Sequence, residues 1–141
     1  MGKISVKGVL LGGIIAGIVL NAYDFLMYGV VLRAEFEAAM TAIGKTMDPN
    51  AIYVFIAIDF LFGIWAVWLY AAIRPRFGPG PRTALIAGLF MWIGFGVLHA
   101  VSEAPLGIFT TSMMVKGVGT ALVAWPLAIM AGARLYSEPA A

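Results

Sequence analysis

The first hydrophobic stretch, Gly8 to Leu32, constrains the fold more than any other feature of the chain. It holds 25 residues between Lys7 and Arg33, and its one charged residue is Asp24. As an α-helix it would be about 37 Å long, enough to cross a hydrocarbon core of ~30 Å with some tilt. The stretch therefore predicts a first transmembrane helix.

The composition of the chain indicates the same class of protein. Of the 141 residues, 62% are hydrophobic and 11% are charged, and the mean hydropathy is +0.98. Soluble domains are nearer one half apolar and one quarter charged, so a water-soluble globule is excluded. Cysteine is absent, which excludes disulfides, thiol catalysis and thiolate metal sites.

Three further apolar stretches predict an all-α fold, a four-transmembrane-helix bundle that forms one membrane domain over residues 1–141. Between the first two stretches, Phe36, Met40, Ile43 and Met47 recur at helical spacing. This spacing predicts a short amphipathic interfacial helix in the first outer loop, at about 34–47. The connection 74–82 contains three prolines and is expected to be a non-helical turn. The expected spans are 8–32, 51–73, 84–104 and 112–135.

Charge predicts the orientation of the bundle. The side with both termini and the 74–82 connection carries six basic residues and one acidic residue, whereas the other side carries three basic and six acidic residues. The positive-inside rule then places both termini in the cytoplasm, in a multi-pass protein of the inner (cytoplasmic) membrane. Because the basic residues flank the spans, they indicate orientation and not a nucleic-acid partner.

Small residues repeat at helical spacing in the first and fourth spans. Such stripes let helix backbones approach closely, within one bundle or between copies of a chain. We expect packing within the bundle, with a homo-oligomer or a larger membrane complex as the further partner beside the lipid bilayer. The helix-packing residues are Gly8, Gly12, Gly13 and Gly17 in the first span and Gly117, Ala121, Ala124 and Ala128 in the fourth.

Ionisable side chains lie at a common depth in all four spans. Each is 15 to 18 residues from the basic residue at the cytoplasmic end of its span, which corresponds to about 22–27 Å. A charge in the hydrocarbon region must face inward, pair or meet water. We therefore expect a pocket with Lys116 between Asp24 and Asp59. The whole set of candidate pocket residues is Asn21, Asp24, Tyr28, Asp59, His99, Glu103 and Lys116.

Three interpretations of this cluster stay open, and in one of them the residues are interfacial and extend to the lipid headgroups. As an outward-facing pocket it would bind or pass a small polar solute, a cation or protons, with the aspartates as acceptors, Lys116 as counter-charge, and His99 and Glu103 as the outer gate. As an internal staple it would only fix the register of the helices.

Two other classes of function are kept as alternatives. The chain is also compatible with a non-catalytic accessory or structural subunit that docks onto a larger membrane protein complex through its small-residue faces. Nucleophile-elbow, P-loop and HExxH motifs are absent, so an enzyme is the class with the least support.

Cofactor binding would depend on His99 or on methionines. His99 is the single histidine, which rules out bis-histidine ligation of haem and leaves a single ligand for haem or chlorophyll. Thioether ligands suit Cu(I), but methionine also fills gaps on apolar faces. We expect neither a cofactor nor a metal site. The methionines in the outer half are Met27, Met40, Met47, Met113 and Met114.

Three short patterns carry a resemblance to known proteins: glycines followed by Asn21 and Asp24, the segment WLYAAIRPRFGPG from Trp68 to Gly80, and AGARLY from Ala131 to Tyr136. With these patterns the chain resembles small four-span membrane proteins of bacteria, most of which are uncharacterised. The resemblance implies a four-span architecture and no activity.

Overall fold

The computed structural model describes residues 3–137, and this part of the chain is helical without a β-strand. Four long helices are each long and apolar enough, by length and composition, to cross a membrane: Val6–Val31, Ala51–Phe77, Pro81–Leu106 and Thr111–Ala133. We refer to them as the first to the fourth long helix. Their elements are α1 (Val6–Leu26) with the π-helical segment Met27–Val31, α2 (Arg33–Ala42), α3 (Ala51–Phe77), α4 (Pro81–Met91) with the π-helical segment Trp92–Leu98, α5 (His99–Glu103) with the 3₁₀ turn Ala104–Leu106, and α6 (Thr111–Ala133).

Side-chain caps set two of the helix starts. The Ser5 hydroxyl accepts a hydrogen bond from the Gly8 amide at 3.1 Å, and the Thr110 hydroxyl accepts one from the Met113 amide at 3.2 Å. Each satisfies an amide that the first helical turn leaves without a partner. The amphipathic helix is shorter than expected, since α2 ends at Ala42 and not near residue 47.

The connection between the second and third long helices differs from the expectation. The expected non-helical segment 74–82 is wrong at both ends, because α3 continues through Pro75 to Phe77 and α4 begins at Pro81. A proline in the last turn removes one backbone hydrogen bond, and a proline in the first turn removes none. The turn itself is 78–80, where Gly78 and Gly80 have φ of 82° and 119°.

The four long helices pack as a ring in chain order. The first packs against the second and the fourth, and the third packs against the fourth and the second. Glycine permits the closest crossings: a Cβ built at Gly12 would lie 2.6 Å from the Gly132 carbonyl oxygen, and one built at Gly88 would lie 2.6 Å from the Cα of Pro126. The expected packing residues Gly8, Gly12, Gly13, Gly17, Gly117, Ala121, Ala124 and Ala128 are all buried inside this bundle.

The bundle is packed more densely at one end than at the other. At the end with the chain termini, Ala66, Val67, Ala128 and Ile129 have no exposed surface. At the end that carries α2, residues 52–58 are exposed on every side of the second long helix, and no residue of His99–Leu106 is buried. At the α2 end the second and third long helices therefore separate from the rest of the bundle, whereas Met27, Leu32 and Met113 keep the first and fourth together. The candidate polar residues lie where this separation begins.

Candidate functional site

Two aspartates from neighbouring helices face each other at the start of the dense half. The side chains of Asp24 on α1 and Asp59 on α3 lie close enough to interact. Asp59 is only 7% exposed and is the first buried residue of α3 from the α2 end. Ionised carboxylates only accept hydrogen bonds, so a hydrogen bond between the two groups would require a proton on at least one of them.

Glycine brings the two aspartates together. Gly63 lies one turn from Asp59, and a Cβ at this position would collide with the backbone of Gly13 and Gly17 on α1. The Asn21 side chain fixes the same crossing, because its amide nitrogen donates to the Gly17 carbonyl at 2.9 Å and to the Ile56 carbonyl at 3.3 Å. The pair therefore lies next to the close crossing of α1 and α3 at Gly63, on the side of the α2 end.

Hydroxyl groups connect the same region of α1 to α6. The Tyr23 hydroxyl lies 3.1 Å from the Gly117 carbonyl oxygen and 2.9 Å from the Thr120 hydroxyl. Thr120 in turn donates to the Lys116 carbonyl at 2.7 Å. The Tyr28 hydroxyl also reaches α6, where it would lie 3.2 Å from a Cβ built at Gly117. The helical spacing that groups Asn21, Asp24 and Tyr28 does not include Tyr23, although Tyr23 directly precedes Asp24.

Lys116 does not lie between the aspartates, contrary to the expectation. Its ammonium nitrogen donates to the Glu35 carboxylate of α2 at 2.6 Å, and the two side chains are 46% and 34% exposed. A stack of Phe36 on Phe109, with ring centres 6.1 Å apart, joins α2 to the same end of the bundle. In the part of the chain that the structure describes, the carboxyl pair therefore has no ion pair with a basic residue.

His99 and Glu103 lie closer to the α2 end, on the third long helix. The imidazole Nε2 is 3.3 Å from the Glu103 carboxylate, as expected for residues one turn apart, and the His99 side chain is 62% exposed. Glu103 is near enough to Tyr28 to interact with its hydroxyl electrostatically. These residues lie at the rim of the separation between the helices and not beside the carboxyl pair.

Aromatic rings join three of the long helices on the side of Asp59 that leads to the chain termini. Phe62 follows Asp59 by almost one turn of α3, and its ring centre lies 4.8 Å from that of Phe95 and 5.8 Å from that of Trp125. These three rings belong to the second, third and fourth long helices; Trp125 is buried, whereas Phe95 is 37% exposed.

The geometry gives no ligand set for a metal ion within residues 3–137, where no three His, Asp or Glu side chains come together in a suitable arrangement. Two of the five methionines considered above, Met27 and Met113, are buried in an apolar cluster with Leu32. In this cluster they fill space between α1 and α6.

Of the seven expected pocket residues, the structure thus brings Asn21, Asp24 and Asp59 together. It sets Tyr28 and Glu103 nearer the α2 end, at the opening that leads to the carboxyl pair, and it leaves His99 and Lys116 at exposed positions.

Comparison with known proteins adds no further assignment: no family model matches the chain, and no curated protein or solved structure matches it.

Proposed function

We propose that the chain is a multi-pass protein of the inner membrane, with both termini in the cytoplasm, that binds a proton or a small monovalent cation at Asp24 and Asp59 and passes it across the membrane. The single observation that carries the proposal is the close approach of these two carboxyl groups from neighbouring helices. In this orientation the α2 end faces outward, and the site opens to the outer side of the membrane.

The charge balance of the pair supports a proton or a cation as the ligand. Two ionised carboxylates in contact repel each other strongly where water is scarce, and one bound proton removes that repulsion. A small cation between the two groups would do the same. Lys116 is engaged with Glu35, so it does not neutralise the pair. The site is therefore complete only with a positive ligand.

The surroundings of the pair support access from the α2 end. Asp59 is buried, whereas residues 52–58 of the same helix and His99–Leu106 of the third long helix, which lie nearer the α2 end, are not. Polar residues inside membrane spans face the bundle interior or water and mark the paths of ions and protons. Asn21, Tyr23 and Thr120 would supply hydrogen-bonding groups beside such a path.

Proton exchange by purified protein in liposomes tests the proposal. A dye that reports internal pH, followed after an external acid pulse, should show exchange that Asp59→Asn reduces strongly, because an amide cannot bind and release a proton. The matched control is Asp48→Asn, which makes the same change in the exposed turn before α3, where the side chain still accepts from the Asn50 amide. Equal exchange in parent, Asp59→Asn and empty liposomes would contradict the proposal.

A second candidate function is that of a subunit in a larger membrane complex. The observation that favours it is the exposure of residues 52–58 around the whole circumference of α3. The small-residue faces are buried within the bundle, so a partner would dock on this segment instead. Purification from native membranes under mild conditions distinguishes the two functions, because a subunit would be recovered with partner proteins and a self-sufficient proton or cation site would not need them.

A further inference from the structure

The third long helix changes its winding in the middle. It begins as α4, is π-helical over Trp92–Leu98, and returns to an α-helix at His99. This π-helical segment includes Gly94 and Gly96, and a Cβ built at Gly94 would meet nothing within 4 Å. π-Helical turns in proteins concentrate at functional sites, and glycine gives the backbone freedom to bend there.

The two ends of this helix are held very differently. Before the π-helical segment, Ala84, Ala87 and Met91 are buried in the main core, and the Trp92 indole donates to the Val118 carbonyl at 2.8 Å. After the segment, none of the residues of His99–Leu106 is buried. One end is thus anchored, while the other has little packing that would resist movement.

An open groove lies beside the loosely packed end. It has a volume of about 410 Å³ and runs between the third and fourth long helices, with Ala100 and Val101 on one wall and Val115 and Gly119 on the other. Its lining side chains are small or medium-sized and apolar. Two apolar walls of this kind can come into contact without leaving a polar group unsatisfied.

We propose that the π-helical segment Trp92–Leu98 is a hinge, about which His99–Leu106 closes onto the fourth long helix and so controls access to the carboxyl pair. The moving segment carries Glu103, which pairs with His99 at 3.3 Å and lies within electrostatic range of Tyr28 on the first long helix. Closing of the groove shifts Glu103 relative to Tyr28, and this shift changes the width of the opening that leads to the carboxyl pair. The gating part of this inference rests on the proposed function, whereas the hinge itself does not.

Spin labels across the groove measure the movement directly. Because the chain contains no cysteine, Val101→Cys and Val115→Cys can be labelled selectively, and both positions are exposed. Electron–electron distance measurements in lipid nanodiscs should give two populations, with the shorter distance from the closed groove. Gly94→Ala stiffens the hinge and should deplete the shorter population about fivefold, and proton exchange should slow with it.

Gly29→Ala is the matched control. It makes the same change in the π-helical segment of the first long helix, where the new Cβ would lie 3.4 Å from its nearest neighbour, an ordinary contact. It should leave the distances across the groove unchanged.

A single distance that Gly94→Ala does not alter, with proton exchange intact, would overturn the hinge and leave the proposed function standing. Two distances in a protein that exchanges no protons would overturn the proposed function and the gating, and leave the hinge standing. Exchange that stays unchanged in Gly94→Ala, while the shorter population falls, would overturn the gating alone.

Discussion

The ammonium group of Lys116 lies 2.6 Å from the carboxylate of Glu35, and the two residues join the start of the fourth long helix to α2. This contact decides how the carboxyl pair is interpreted. With Lys116 between Asp24 and Asp59, the lysine would balance the negative charge of the aspartates, and the cluster would serve only to fix the register of the helices. With Lys116 engaged at the rim, the two carboxyl groups have each other as partners and need a proton or a cation for charge balance.

The first prediction concerns Lys116. Lys116→Gln should leave proton exchange unchanged and lower the free energy of unfolding by less than about 1 kcal/mol, because both members of the ion pair are partly exposed. Denaturant titration in detergent measures the stability, and the liposome assay measures the exchange. Lys45→Gln, in the exposed loop after α2, is the control. A complete loss of exchange in Lys116→Gln alone would mean that the lysine belongs to the carboxyl site after all.

The second prediction concerns the contact between α1 and α6. Tyr23→Phe removes the hydroxyl that meets the Gly117 carbonyl and Thr120, and it should destabilise the protein by about 1 kcal/mol, the usual net contribution of such a hydrogen bond. Tyr53→Phe makes the same change on a side chain that is 71% exposed and should have little effect. The difference between the unfolding midpoints of the two variants is the measurement. Equal midpoints would show that the Tyr23 contact contributes nothing.

The third prediction concerns the glycine crossings. Gly12→Ala places a methyl group 2.6 Å from the Gly132 carbonyl oxygen, so the first and fourth long helices must move apart. A cost of about 1–3 kcal/mol is expected from overpacking of this kind. Gly119→Ala adds the same methyl group where nothing lies within 4 Å and should be neutral or slightly stabilising. Thermal unfolding in detergent compares the two, and a Gly12→Ala protein as stable as the parent would contradict the packing described for this crossing.

Features that depend on position along a helix could be predicted from the sequence. The four long apolar helices, the small residues between them and the depth of the aspartates all follow from counting residues at helical rise and period. Gly44 and Gly107 also mark helix ends, with φ of 68° and 65°, at positions where a side chain would be strained. The same counting sets Asp24 and Asp59 at one depth, since Asp24 precedes the π-helical segment of its helix and α3 contains none.

Features that depend on rotation about a helix axis could not be predicted in this way. A π-helical turn is wider than an α-helical turn, so every residue beyond it is rotated away from the face that a 3.6-residue period assigns. Tyr28 and His99 both lie within or beyond such a segment, and the structure leaves them exposed. Counting along the fourth span gives the depth and the helical face of Lys116, but it does not show that α2 folds back to bring Glu35 within reach of this lysine.

The sharing of a proton between Asp24 and Asp59 can be tested most directly by infrared spectroscopy of the purified protein in lipid at neutral pH, in a buffer free of alkali-metal cations that could replace the proton. The account predicts a C=O stretching band of a protonated carboxyl group in the parent and in Asp48→Asn. It predicts that this band is shifted in each single variant, Asp24→Asn or Asp59→Asn, and is absent from the double variant. A parent without this band, or a band that persists unchanged in the double variant, would contradict the account.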